Sequence, residues 1–251
     1  MKKKKFLQGI QDGMPICLGY FSVSMAFGIT AVLSGMPVWA AVLTSLSNVT
    51  SAGQFAGVGI IVAGGSMIEL AFTQLIINMR YFLMSLSVSQ KVESRMTTGQ
   101  RLAVSYGITD EIFAVSMQHK GELTAVYMAG LILMPVLGWT GGTLVGAVAT
   151  SVMPAILQDA MGIALYGMFI AIIVPPAREH RNVLFAVLAA VAASYAFAYM
   201  PVLKEISGGW SIIIITVVIS ALAAWLRPIE DEESVSAAED TPAAQEQEVH
   251  A

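Results

Sequence analysis

The sequence predicts an all-α protein: a polytopic membrane helical bundle of about six full spans plus two broken or re-entrant elements. Three observations predict it. Of 251 residues, 56% are hydrophobic and only 12% charged, against about 25% charged in an ordinary soluble domain. Apolar runs long enough to cross a bilayer as helices, about 20 residues each, recur along the chain. Charge is also segregated. All 13 Lys and Arg precede Glu230, while eight of the 17 acids lie at or after it, so residues 1–229 carry a net +4. This composition argues against a soluble enzyme or a nucleic-acid binder.

Residues 1–12, MKKKKFLQGIQD, form a basic N-terminus. The apolar run Met14–Leu33 is too long for a signal-peptide core and reads as an uncleaved first helix. From Pro37 to Gly64 the polar, small segment Ser47–Gln54 interrupts two apolar pieces. The 28 residues are too short for two spans, so they predict one broken helix or a re-entrant pair of half-helices. Ser66–Ser89 is a span carrying Glu69 and Arg80. Residues 90–101 are a polar loop. Leu102–Met117, with Asp110 and Glu111 at its middle, reads as a short amphipathic or re-entrant helix. Leu123–Trp139 is a span. Gly-rich Thr140–Leu157, stopped by Pro154, reads as the second broken element. Met161–Val174, Leu184–Met200 and Trp210–Leu226 are further spans, each closed by proline. Residues 13–228 thus form one transmembrane domain. Residues 229–251, rich in Ala, Glu and Gln, form an acidic tail expected to be disordered and cytoplasmic.

Basic residues set the orientation. If both broken elements enter and leave on one side, Lys91, Arg95, Arg101, Lys120, Arg178, Arg181 and Arg227 fall on the same side as Lys2–Lys5. Only Lys204 falls opposite. The charge rule favours re-entry, with both termini cytoplasmic. The order span, broken element, span occurs at residues 14–89 and again at 123–176, which hints at an internal repeat, parallel or inverted.

Three segments carry polar groups where only apolar ones are cheap. In Ser47–Phe55, a half-helix N-terminus would offer free N–H groups and a positive dipole end, suited to a carboxylate. Asn48, Ser51 and Gln54 equip that place for a zwitterion, with Ser47, Ser51 and Gln54 on one face if the segment is helical. The alternative is that Ser and Thr bond their own backbone while Gly53 and Gly57 allow close packing. The second segment is Asn78–Tyr81. Arg80 lies about 13 Å below its helix end by helical rise, so it needs a partner from another segment, with Asp110 or Glu111 as candidates. That pair would serve either the site or the locking of helices. Glu69, near its helix start, suits the dipole there. The third is Gly107–Glu111. Two adjacent acids in an apolar stretch can form a proton-coupling site, or else an interfacial loop. Asp159 reads as a surface residue at a turn.

Nothing in the sequence points to catalysis. His119, His180 and His250 lie in charged loops or the tail, and no catalytic or phosphate-binding motif is present. The single cysteine, Cys17, is a small packing residue. No enzyme activity, cofactor or metal is expected.

The same segments carry a family resemblance. Gly9 with Pro15 and Ala26-Phe27-Gly28, then Ser51-Ala52-Gly53-Gln54-Phe55, Asn78-Met79-Arg80-Tyr81 and Gly107-Ile108-Thr109-Asp110-Glu111 resemble, in order and spacing, the AzlC family. These are the large subunits of branched-chain amino acid exporters. The resemblance covers roughly residues 9–115. It implies a permease of the bacterial inner membrane that exports valine, leucine, isoleucine or similar amino acids such as methionine. It further implies a small AzlD-type membrane subunit and energy from protons. On this reading Asn48, Ser51, Gln54, Asn78 and Arg80 bind substrate, and Asp110 and Glu111 couple protons. The long acidic tail and Glu69 depart from the family pattern. The alternatives are a transporter or channel for another small solute, and a non-transporting scaffold subunit.

Overall fold

A computed structural model describes residues 2–152, 154, 156, 167, 170 and 173–226. Its helices are α1 (Lys2–Leu33), α2 (Val38–Ser47), α3 (Ala52–Val62), α4 (Met67–Lys91), α5 (Thr98–Tyr106), α6 (Asp110–Gln118), α7 (Ala125–Ala149), α8 (Arg181–Tyr199) and α9 (Gly208–Leu226). Among the described residues there is no strand, only an isolated bridge between Val92 and Leu123. Four helices, α1, α7, α8 and α9, are long and apolar enough to cross a membrane. The fold is a helical membrane bundle. The predicted span Met161–Val174 falls mostly outside the described residues, as do Asp159 and the tail.

The bundle is organised by α1 and α7. Their backbones approach so closely that side chains do not fit between them. A Cβ on Gly130 would lie 2.3 Å from Phe6 O, on Gly138 2.4 Å from Cys17 O, on Gly142 2.2 Å from Phe21 O, and on Gly146 2.1 Å from Met25 O. Partners advance together along both chains, so the helices run parallel. The contact is reciprocal. Gly9 meets Tyr127 O as Gly130 meets Phe6 O, and Gly28 meets Thr143 O as Gly146 meets Met25 O. Each helix also carries an internal proline, Pro15 and Pro135. Small residues that admit a neighbouring backbone are the usual route to tight packing between membrane helices.

This packing corrects one expectation. The sequence predicts a break at Thr140–Leu157, but α7 continues through Thr140, Gly141 and Gly142 to Ala149. Gly142 and Gly146 accommodate α1 and do not end the helix. Glycine costs a helix only about 1 kcal/mol each relative to Ala, less than continuous packing returns.

The other elements take their direction from this pair. Leu123 N donates to Lys91 O (2.9 Å) and Glu93 N to Leu123 O (3.0 Å), so α4 ends where α7 begins and runs against it. The α2–α3 pair enters from the opposite end. Ala41 packs with Phe27 and Ala31, Ser45 bonds Thr143 farther in, and Val58 of α3 is back beside Phe27. The sequence places Asp110 and Glu111 inside one short helix, but there are two half-helices, α5 and α6, with the acids in the first turn of α6. At the other end of α6, His119 stacks on Tyr127, with ring centroids 4.1 Å apart, and Lys91 Nζ donates to Met117 O. The second broken element therefore exists at residues 98–118 and enters from the end that carries Lys2–Lys5.

Glu69 has a packing role. Its carboxylate accepts from Gly209 N (2.8 Å) and Ser207 Oγ, satisfying backbone donors at the start of α9. Phe72 and Trp210 pack beside it. The acid thus fits the dipole of the neighbouring helix as well as its own. No residue of α8 is buried among the described residues.

Placing a methyl group at Gly142 sets it against immovable backbone. Gly142→Ala is expected to lower stability by about 1–3 kcal/mol, while Gly141→Ala, with nothing within 4 Å of its Cβ, is expected to be neutral or to stabilise by up to about 1 kcal/mol. Reversible unfolding of the purified protein in mixed micelles compares them.

Candidate functional site

The two interrupted pairs meet at mid-height. Tyr20, Trp139 and Asn78–Arg80 lie near the middles of α1, α7 and α4 by residue count. The breaks at Asn48–Ser51 and Gly107–Thr109 reach this level and touch, Tyr106 donating its phenol hydrogen to Leu46 O. Interrupted backbone at this depth is tolerated where it is enclosed by protein or lines a cavity.

The first break follows from the residues. Asn48 closes α2 in an extended conformation, φ −148°. Ser51 opens α3 with φ 48° and ψ −89°, the one non-glycine positive φ among the described residues. Such a conformation costs roughly 1–3 kcal/mol and persists only when its surroundings enforce it. The break also separates Ser47 from Ser51 and Gln54, so the three do not share a helical face. Ser47 bonds its own backbone at Leu43 O (2.8 Å).

Gln54 is 1% exposed and its amide is engaged at both ends. Trp139 Nε1 donates to Oε1 (2.7 Å), and Nε2 donates to Ser45 Oγ (3.0 Å). Ser45 Oγ lies 2.7 Å from Thr143 Oγ1, and Thr143 Oγ1 also bonds Trp139 O (3.0 Å). This chain ties α2 and α3 to α7. Gln54 therefore braces the break from inside, whereas Asn48, Ser51 and Asn78 are only half-buried.

Asn78 faces α3. Its Nδ2 donates to Gln74 O (2.9 Å) and Gln74 Oε1 (3.1 Å), and Gln74 Nε2 donates to Gly53 O (2.7 Å). Asn78 Oδ1 and Thr50 Oγ1 are buried without a hydrogen-bond partner. Each such atom costs about 1–3 kcal/mol.

The second break presents the charges. Thr109 caps α6, accepting from Ile112 N, and the acids sit in the first turn where the dipole favours them. Arg80 takes Asp110 as its partner, Nη1 to Oδ2 at 2.9 Å, with side chains 48% and 40% exposed. Its guanidinium also donates to Tyr81 Oη (3.1 Å) and lies 4.9 Å from that ring's centroid. Glu111 turns the other way and accepts from the phenol of Tyr20, which also bonds Thr109 Oγ1 (2.7 Å). The one cation here pairs with Asp110 alone, and among the described residues Glu111 has no salt bridge. An apolar cavity of about 240 Å³ lies between α4 and α5 toward the basic end, lined by Ser85, Val88, Val104, Ser105 and Ile108 among others.

Sequence reasoning missed Tyr20, Ser45, Trp139 and Thr143. Single Ser, Thr, Tyr and Trp residues inside apolar runs carry no signal of their own. The α6 start was findable, since Thr followed by two acids is a helix-opening pattern. No group of three or more His, Cys, Asp or Glu that could hold a metal occurs among the described residues.

With this geometry in hand, the comparisons decide the family. A family model described as AzlC protein matches residues 15–153, which include both breaks and the charged cluster. The chain belongs to the AzlC family. It is similar to the inner membrane protein YgaZ of Escherichia coli, 26% identical over 66% of this chain and 71% of that one. An uncharacterized membrane protein of Archaeoglobus fulgidus is 27% identical over 69% of this chain and 77% of its own. One from Helicobacter pylori strain J99 is 28% identical over 58% and 66%. No solved structure matches. This AzlC-family member is a membrane protein, and the resemblance carried by the four sequence pieces holds.

Its two kinds of site residue separate by stability. Gln54→Leu leaves the Trp139 N–H unpartnered and is expected to cost about 1–3 kcal/mol. Asp110→Asn keeps an acceptor for the Arg80 guanidinium, which also stays bonded to Tyr81 Oη, and is expected to cost less than Gln54→Leu. Equilibrium unfolding of both variants checks the contrast.

Proposed function

We propose that this protein is a secondary transporter exporting branched-chain or similar hydrophobic amino acids, namely valine, leucine, isoleucine and also methionine, driven by protons. The observation that carries the reading is the meeting of two interrupted half-helix pairs at mid-height, with Arg80, Asp110 and Glu111 around them. Half-helix ends that face a central site are how transporters bind small charged solutes and ions. The substrate's charged ends lie near Asn48, Ser51 and Asn78, beside the N-terminus of α3, with Gln54 holding that wall. Arg80 orders the site through Asp110. Glu111, bonded to a phenol and lacking a cation, carries the coupling proton.

One face of α4, Gln74, Asn78, Tyr81, Ser85 and Val88 at helical spacing, leads from the first break to the apolar cavity. Apolar walls separate one methylene by only about 1–3 kcal/mol, so a broad range of aliphatic substrates is expected. The protein works in the inner membrane of a bacterium, as the name of its Escherichia coli relative supports, with both termini cytoplasmic. It works with a small AzlD-type membrane subunit. No enzymatic step, cofactor or nucleic acid is involved.

Efflux of labelled leucine and methionine from cells tests this, with the chain alone and with an AzlD-type subunit. Efflux that needs a proton gradient is expected. Glu111→Gln is expected to abolish gradient-driven efflux while leaving exchange of labelled for unlabelled leucine. Equilibration without a gradient would indicate a channel. No flux of any aliphatic amino acid, with the protein present in the membrane, would leave another small solute or the scaffold role.

A further inference from the structure

The unpartnered atoms beside the first break have a common centre. A Cβ on Gly53 would lie 2.4 Å from Thr50 Oγ1, 2.7 Å from Gln74 Oε1 and 3.1 Å from Asn78 Nδ2. Three polar side chains therefore close on a backbone position with no side chain of its own. Any side chain at residue 53 would overlap Thr50 Oγ1 and Gln74 Oε1.

The hydrogen bonds fix which atoms remain for a ligand. Both Nδ2 hydrogens of Asn78 are used, on Gln74 O and Gln74 Oε1. One Nε2 hydrogen of Gln74 is used on Gly53 O. The amide orientations follow from these bonds, which leaves one Gln74 N–H, the Thr50 hydroxyl and the amide oxygens. Asn78 Oδ1 and Thr50 Oγ1 are both shut off from solvent and both without a partner. The cluster is thus rich in acceptors and holds no charged side chain.

An acceptor-rich, neutral cluster calls for a group that donates several hydrogen bonds. A carboxylate fits less well there, because Asn78 Oδ1 and Gln74 Oε1 would repel it. A bare metal ion fits poorly as well. The cluster has no carboxylate to neutralise it, and the positive end of α3 points at the same place. A zwitterion meets both conditions. Its ammonium group donates to the oxygens, and its carboxylate turns toward the N–H groups at the start of α3.

We infer that Thr50, Gln74 and Asn78, around the open backbone of Gly53, form the subsite for the α-ammonium group of the transported amino acid. This rests on the reading of the protein as an amino acid transporter. It adds Thr50, Gln74 and Gly53 to the site and gives Asn78 a defined role. The partners of the ammonium are neutral oxygens, separate from the Arg80–Asp110 pair.

Ligand-induced thermal shifts and binding titrations on the purified full chain test it, with three probes. These are leucine, 4-methylpentanoate, which lacks the ammonium group, and 3-methylbutylamine, which lacks the carboxylate. The wild-type protein is expected to prefer leucine to 4-methylpentanoate. Thr50→Val, close in shape, is expected to weaken leucine roughly 10- to 100-fold, the value of a hydrogen bond to a charged group. It should leave 4-methylpentanoate unchanged, so that the preference collapses. Thr50→Ser is expected to restore it, and Gly53→Ala to act as Thr50→Val does. An equal loss for both probes in Thr50→Val, or no loss for either, would overturn the subsite while leaving the transporter reading standing. Stabilisation of the wild type by sodium chloride over choline chloride, abolished by Thr50→Val with leucine affinity unchanged, would overturn it in favour of a metal ion. A wild type that binds no aliphatic amino acid would overturn the subsite and the transporter reading together.

Discussion

Everything else in the fold depends on how closely α1 and α7 approach. Two helices with ordinary side chains at the interface stand about 8–10 Å apart. Here glycines bring backbone against backbone, and a single added methyl at Gly142 or Gly146 would overlap a carbonyl oxygen. In lipid, where apolar side chains gain little by meeting each other, such packing is the main cohesive term. The parallel pair is thus a fixed frame. It sets Tyr20 against Trp139 and, one helical turn on, Ser24 against Thr143, the level at which both interrupted pairs are held.

The frame explains why the breaks are tolerated. An interrupted helix in a membrane must satisfy its polar groups locally. The first break is satisfied from α7 through Trp139, Gln54, Ser45 and Thr143, and from α4 through Gln74. The second is satisfied from α1, whose Tyr20 reaches Thr109 and Glu111, and by the Thr109 cap. Each break leans on a different long helix, and Tyr106 joins them directly. A rigid frame bearing two interrupted pairs from opposite ends leaves those pairs as the parts that can shift.

The legible part of the sequence was the part where polarity contradicts depth. Asn48–Gln54, Arg80 and the acids at 110–111 stand out because water-seeking groups lie inside apolar runs. The Arg80 partner could be narrowed to two residues because a lone arginine in a span needs one. Glycine was the source of error. Gly141, Gly142 and Gly146 read as a break, but glycine both loosens a helix and admits a neighbour. Only the four-residue spacing of Gly138, Gly142 and Gly146 separates the two uses, because it puts all three on one face. The acids misled differently. They were placed within a helix because the apolar stretch around them looked continuous, yet Thr109 before them marks a new helix start. The bracing residues were not legible, since a lone buried Ser or Trp gains meaning only from its partner.

The charge inventory of the centre has a consequence for how such a site works. Arg80 and Asp110 offset each other across a 2.9 Å contact. Glu111 is the remaining charge. At mid-height of a membrane a carboxylate without a cation beside it is costly. A phenol hydrogen bond moderates the cost without removing it. In the proposed transporter, a proton or the substrate ammonium would supply the missing positive charge. In that transporter, competition between them through the field of one carboxylate would couple two fluxes without any direct contact between proton and substrate. It requires only that Glu111 stay without a second cation, a condition that the turning of Asp110 toward Arg80 maintains.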